Sequence, residues 1–349
     1  MTPDIPPPGT VGRSLGDAYS GDGLATLPEL PSVRCADAAR LRGEPIAASA
    51  VRYHRFLLLE VPGPWGRSAL EDKHMDAAVA GQLTRATAAT STHVLLIRRP
   101  GRHPAYGSDA GQRVMAWAFA DTAPGAERVL WGAWRDPADL LNLDLTARIP
   151  GEANAAASQR LALVCTNGKR DQCCAQRGRP VAAALAAAGW DTWECSHLGG
   201  HRFAATLMVL PTGDMFGWLD AATALDALRR FDAGELDLSH YRGRAGQPAC
   251  VQAALHAAAV RLGDFRRDAF QVVAACPVPG DGDVSRPAGP GEDTERWQVE
   301  VIHRAGRSPG TAYRVIVAGS RLAPSFLSCA DSRPKAEIQY EALSLTHIR

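Results

Sequence analysis

The chain has 349 residues, 46% of them hydrophobic, and a net charge of +1. That length favours two domains over one, and that apolar fraction excludes a disordered chain. The near-zero charge gives no case for nucleic acid as an electrostatic partner, and no apolar run reaches the roughly 18 residues that a membrane helix needs.

The first 25 residues are rich in Pro and Gly, and residues 1–27 read as a disordered lead-in or lid. They lack a basic segment followed by an apolar core, so no signal peptide is expected and a cytoplasmic location is. Residues 28–45 form a short approach with Pro28, Pro31, Cys35 and a helix at about 36–41. Residues 52–61 hold an apolar stretch of strand length, broken by Pro62-Gly63-Pro64-Trp65-Gly66. Helical spacing of Val79, Leu83 and Ala86 predicts a helix over 76–88. Strands are predicted over 93–97, 113–120 and 128–134, then a helix over 136–143 opened by Asp136 and Pro137.

That β-α-β-β-β-α order then repeats. Strands fall at 161–165, 191–196, 203–210 and 215–219, with helices at 180–188 and 222–230. The first of those helices has Pro180 in its first turn and Gly189 just past its end. The order is the thioredoxin-like one: a central sheet mixing parallel and antiparallel pairs, with helices on its faces. An α/β (α+β) fold with tandem thioredoxin-like halves is therefore expected. The N-terminal half is assigned to 28–155 and the second half, which alone carries cysteines where chemistry would sit, to 156–235. Residues 236–349 read as an α+β extension: an amphipathic helix over 248–262, a Gly/Pro/Asp loop over 277–295, and alternating strands at 297–303 and 312–318 that could pair as a hairpin. The last 30 residues carry no assignment.

The metal-capable side chains concentrate between Cys165 and His201. Eight cysteines are too sparse for a disulfide scaffold, but Cys165, Cys173, Cys174 and Cys195 fall within 31 residues, which points to a metal or redox site in a reducing compartment. Cys35, Cys250, Cys276 and Cys329 are scattered singly and read as small buried hydrophobes. Cys165 and Cys174 are nine residues apart, and His197 and His201 are four apart across two glycines that let the backbone bend. The two pairs flank one βαβ unit, so two thiolates and two imidazoles meet at its end. Cys173 adjoins Cys174, so at most one of them reaches the same iron. Cys195 is a substitute ligand or a buried strand cysteine. Asp171 is expected to hold the loop through backbone hydrogen bonds. His54, His74, His93 and His103 stand alone, and Gly280-Asp281-Gly282-Asp283 lacks the distal Glu of a calcium loop.

The runs C-T-N-G-K-R-D-Q-C-C and C-S-H-L-G-G-H-R-F-A resemble the sucrase/ferredoxin-like family, tightly over 161–219 and more loosely at F-L-L-L-E-V-P-G-P-W-G, L-L-I-R-R-P-G-R and Y-R-G-R-A-G-Q-P. The resemblance implies a thioredoxin-like ferredoxin domain with a 2Fe-2S cluster, held by Cys165 and Cys174 on one iron and by His197 and His201 on the other. It implies an electron-transfer protein, served by a redox partner protein, whose histidines can couple the electron to a proton. Lys169, Arg170, Arg177, Arg179 and Arg202 surround these positions in sequence and could dock an acidic partner. No pair of catalytic carboxylates supports sucrase activity, and an electron carrier is favoured over an enzyme. A structural zinc module of Cys2His2 type stays open, as does a thiol–disulfide or peroxide-reducing enzyme, which the lack of Cys-x-x-Cys disfavours.

Overall fold

The computed structural model describes residues 33–71, 75–101, 114–146, 160–278, 291, 293–304 and 310–348. The expected lead-in, most of the 277–295 loop, His74, His103 and the Gly280–Asp283 turn lie outside them.

The first half runs α1 (Cys35–Leu41), β1 (Arg55–Glu60), α2 (Ala77–Ala89), β2 (Thr92–Arg98), β3 (Met115–Asp121) and β4 (Arg128–Trp134). The second runs β5 (Leu161–Cys165), α3 (Gln172–Ala187), β6 (Asp191–Cys195), β7 (Leu207–Leu210), β8 (Asp214–Phe216) and α4 (Ala221–Asp232). β9 (Tyr241–Arg244) completes one nine-stranded sheet in the order β4-β3-β1-β2-β6-β5-β7-β8-β9. Within each half the first two strands pair in parallel and the third and fourth add antiparallel on the far side of the first. The sheet mixes parallel and antiparallel pairs, as expected of an α+β fold. The two halves join edge to edge where β2 meets β6 antiparallel, Ile97 opposite Cys195 and Arg98 opposite Glu194.

Strand alternation explains the layering. Phe56 and Leu58 of β1 share a core with Leu161, Leu163 and Cys165 of β5. Leu57 and Leu59 face a core with α2 residues, while Ala162 and Val164 face α3 and α4. Both faces are buried, so β1 and β5 read as continuous apolar runs. The sheet curls until Arg244 on β9 donates to Thr122 O just past β3 (3.0 Å) and pairs with Glu127 (2.5 Å).

Three expected elements differ. The helix predicted over 136–143 is a 3-10 helix at Pro137–Asn142, with Asp136 capping it as its composition predicts. Helix α3 begins at Gln172 and carries Pro180 inside it. Asp171 caps the earlier start, and burial of Val181, Ala182 and Leu185 outweighs the hydrogen bond the proline removes. The strand predicted from residue 203 starts only at Leu207, because residues 201–203 wind into a 3-10 turn.

The C-terminal region is α5 (Ala249–Leu262) packed on an antiparallel sheet of β10 (Phe270–Val278), β11 (Asp293–His303), β12 (Thr311–Arg321) and β13 (Ile338–His347). The expected hairpin is its middle pair; β10 and β13 went unassigned because little of either is buried.

Candidate metal centre

Cys165 ends β5 fully buried, and the loop after it is fixed from three sides. Thr166 Oγ1 donates to Glu194 Oε2 (3.1 Å), which also takes Arg98 Nε at 2.7 Å. Asn167 Oδ1 accepts from the backbone of Lys169 (3.1 Å) and Arg170 (3.3 Å), an Asx turn, while its amide donates to Gly66 O at 2.9 Å. The first half thus holds the cysteine loop of the second through the P-G-P-W-G turn and Arg98. Asp171 closes the loop by accepting from Cys173 N (2.9 Å), the backbone role expected of it. Cys173 and Cys174 then sit in the first turn of α3, both buried, on different sides.

The histidine arm follows β6. Gly199 and Gly200 have φ of 75° and 70°, left-handed values that glycine adopts without strain. A Cβ on Gly200 would lie 2.5 Å from Arg242 Nη2. That guanidinium is 1% exposed. It donates from Nη1 to Gly199 O (3.1 Å) and to Ser49 through O (2.5 Å) and Oγ (3.1 Å). Burial pulls its pKa down to about 9, and Arg202 adds to this. The bend stacks His197 on His201 with ring centroids 4.3 Å apart and planes 19° from parallel. Behind them His93 Nε2 lies 3.4 Å from His197 O, so His93 supports the same loop.

All four residues singled out by spacing meet. The Cys174 thiol donates to Cys165, which holds Cys165 well below the usual thiol range and pushes Cys174 up. Cys174 Sγ is 3.4 Å from His201 Nδ1, and Cys165 also interacts with His197. Burial, then His197, lowers His201 to about 4, so its imidazole is neutral at neutral pH. His197 Nδ1 is buried without a hydrogen-bond partner. An orphaned imidazole nitrogen beside two buried thiols is the donor set of a soft or borderline metal, and these residues fit such a group. Cys195 stays behind them in the core, its thiol pushed up by burial.

A second group assembles on the other side of α3. Cys35, Asp171, Cys173 and Cys329 place their donor atoms within 4.8 Å of one another and could hold a metal. This corrects the expectation that Cys35 and Cys329 are isolated buried hydrophobes. Cys250 is buried as expected, whereas Cys276 and Cys329 are exposed. No spacing signal marks the group, because Cys173 is 138 residues from Cys35 and 156 from Cys329. Arg202 is also corrected: it is buried and paired with Glu44 (2.7 Å) and Glu337, so it is part of the packing and not of an exposed basic rim.

Among the described residues, no helix is long and apolar enough to cross a membrane. No curated protein and no solved structure matches the chain. Residues 46–243, more than half of the chain, match the sequence profile described as sucrase/ferredoxin-like, and this span contains all four convergent donors together with the turns and Arg242 that position them. The chain belongs to the sucrase/ferredoxin-like family.

Proposed function

We propose that this protein is an electron carrier whose Cys165, Cys174, His197 and His201 hold a 2Fe-2S cluster, the thiolates on one iron and the imidazoles on the other. The observation that carries this reading is the buried meeting of two thiols with two stacked imidazoles, one of whose nitrogens lacks any partner. Such a cluster, when bound, takes up and releases one electron. The chain supplies what surrounds it. Two neutral imidazoles in place of two thiolates leave the site about two charges less negative than an all-cysteine one, which raises its potential. The buried Arg242 cation favours the reduced state in the same direction. His201 turns its Nδ1 toward Cys174, so its Nε2 is left to hold a proton. Lys169 before α3 and Arg179 midway along it are exposed and would meet an acidic redox partner in the cytoplasm.

Anaerobic purification followed by iron and sulfide analysis, with electron paramagnetic resonance of the dithionite-reduced protein, tests the reading. About two iron and two sulfide per chain are expected, with the spectrum of a reduced binuclear cluster. Zinc in these positions without labile sulfide would replace the carrier with a structural module.

A further inference from the structure

Three thiols that are neither bonded to one another nor merely neighbours need an explanation. Cys35 Sγ is 3.6 Å from Cys173 Sγ and 3.5 Å from Cys329 Sγ, and Cys173 Sγ is 3.5 Å from Cys329 Sγ. A disulfide would bring two of them to about 2.05 Å. Tetrahedral zinc with Zn–S bonds of about 2.3 Å separates its sulfurs by roughly 3.8 Å. The triangle has that size, and its edges are nearly equal, as ligands around one ion require. Asp171 Oδ2 lies 3.5 Å from Cys35 Sγ and supplies the fourth corner.

The carboxylate is clamped like a ligand. Oδ1 accepts from Cys173 N (2.9 Å), while Oδ2 accepts from Cys329 N (2.8 Å) and Ser328 Oγ (2.8 Å). Two of the three cysteines therefore orient the carboxylate through their own backbones, Cys173 at Oδ1 and Cys329 at the Oδ2 that would share their ion, an outer layer of bonds typical of metal sites. Cys329 is exposed, which gives the ion an entry path, while Cys35 and Cys173 are buried.

We infer that Cys35, Cys173, Cys329 and Asp171 form a second metal site, separate from the Cys165–Cys174–His197–His201 centre, that takes one thiophilic divalent cation of the zinc class. Three thiolates and a carboxylate select such an ion over magnesium or calcium. The site ties α1, the first turn of α3 and the loop at 325–335 into one knot. Because Cys173 precedes Cys174, the knot also fixes the turn that presents Cys174 to Cys165. None of this depends on the cluster assignment.

The test uses the full chain, with zinc and cobalt as probes. Purified protein is expected to contain about one zinc per chain in addition to any iron. Cobalt added after chelation should give the thiolate-to-cobalt charge-transfer band and the visible bands of a tetrahedral ion. Cys35→Ser/Cys329→Ser should lose the zinc and the cobalt bands while keeping the iron. An alkylation footprint needs no variant: with zinc bound, Cys35, Cys173 and Cys329 should be protected at least tenfold relative to chelated protein. Exposed Cys276 should react equally in both. Absence of zinc and of cobalt bands from folded wild type would overturn the inference. So would metal retained by the double variant, protection that does not depend on metal, or a disulfide among the three in anaerobic protein.

Discussion

Adjacent residues on a helix point about 100° apart, and Cys173 and Cys174 use that difference to serve two groups. Cys174 faces Cys165 and His201; Cys173 faces Cys35 and Cys329. Cys174→Ser should therefore abolish or grossly alter the visible spectrum of the iron-loaded protein, whereas Cys173→Ser should leave it intact and remove only the zinc-class metal. Absorption spectra with metal analysis of both variants check this; loss of colour in Cys173→Ser alone would move the ligand. The histidines set a second expectation. An iron-bound imidazole keeps a proton on its other nitrogen, and ferric iron lowers that pKa more than ferrous iron does. Reduction thus favours the protonated ring. Between the oxidised and reduced pKa values the midpoint potential should fall by about 59 mV per pH unit, and below both it should be flat. His197→Cys should lower the potential and remove part of the slope. Redox titrations across about pH 6 to 10 decide it, and a slope of zero throughout in loaded protein would leave plain electron transfer.

At the scale of elements, α3 lies so close to β5 that one glycine sets the spacing. A Cβ on Gly178 would fall 2.1 Å from Cys165 O, a backbone atom that cannot move aside cheaply. Gly178→Ala should push the helix outward, cost about 1–3 kcal/mol of stability and misplace Cys174 relative to Cys165. Urea denaturation and iron content of the variant measure both effects; an unchanged midpoint with full loading would show that the helix shifts freely. The sequence shows this helix only in part. Pro180 reads as a start because proline favours the first turn, but the Asp171 cap, well before it in the chain, moves the true start to Gln172. The result places both vicinal cysteines inside the first turn, where helix geometry and not loop winding separates them.

For the whole molecule, the first half is needed to hold the loop that follows Cys165. Arg98 on β2 donates to Glu194 on β6 (2.7 Å) and to Pro62 O (3.2 Å), and its guanidinium lies 4.4 Å from the Trp65 ring centroid. Arg98→Ala would leave Glu194, 7% exposed in its side chain, buried without its cation. The cost should be about 3–5 kcal/mol, with both halves still unfolding in one transition because they share a core. Denaturation followed by tryptophan fluorescence and by visible absorption checks it, and two separated transitions would show that the halves are independent.

The sequence by itself determined the order of most elements up to residue 232 and the Cys165–Cys174 and His197–His201 pairs, because period, turn residues and short spacing are local properties of the chain. It also carried the family signature over those pairs. Only the tertiary structure brought Cys35 and Cys329 to Cys173, buried Arg242 beneath the glycine bend and turned Arg202 into a packed ion pair. Those contacts join residues far apart in sequence, which strand pairing, sheet curvature and helix packing bring together without leaving a periodic trace in the chain.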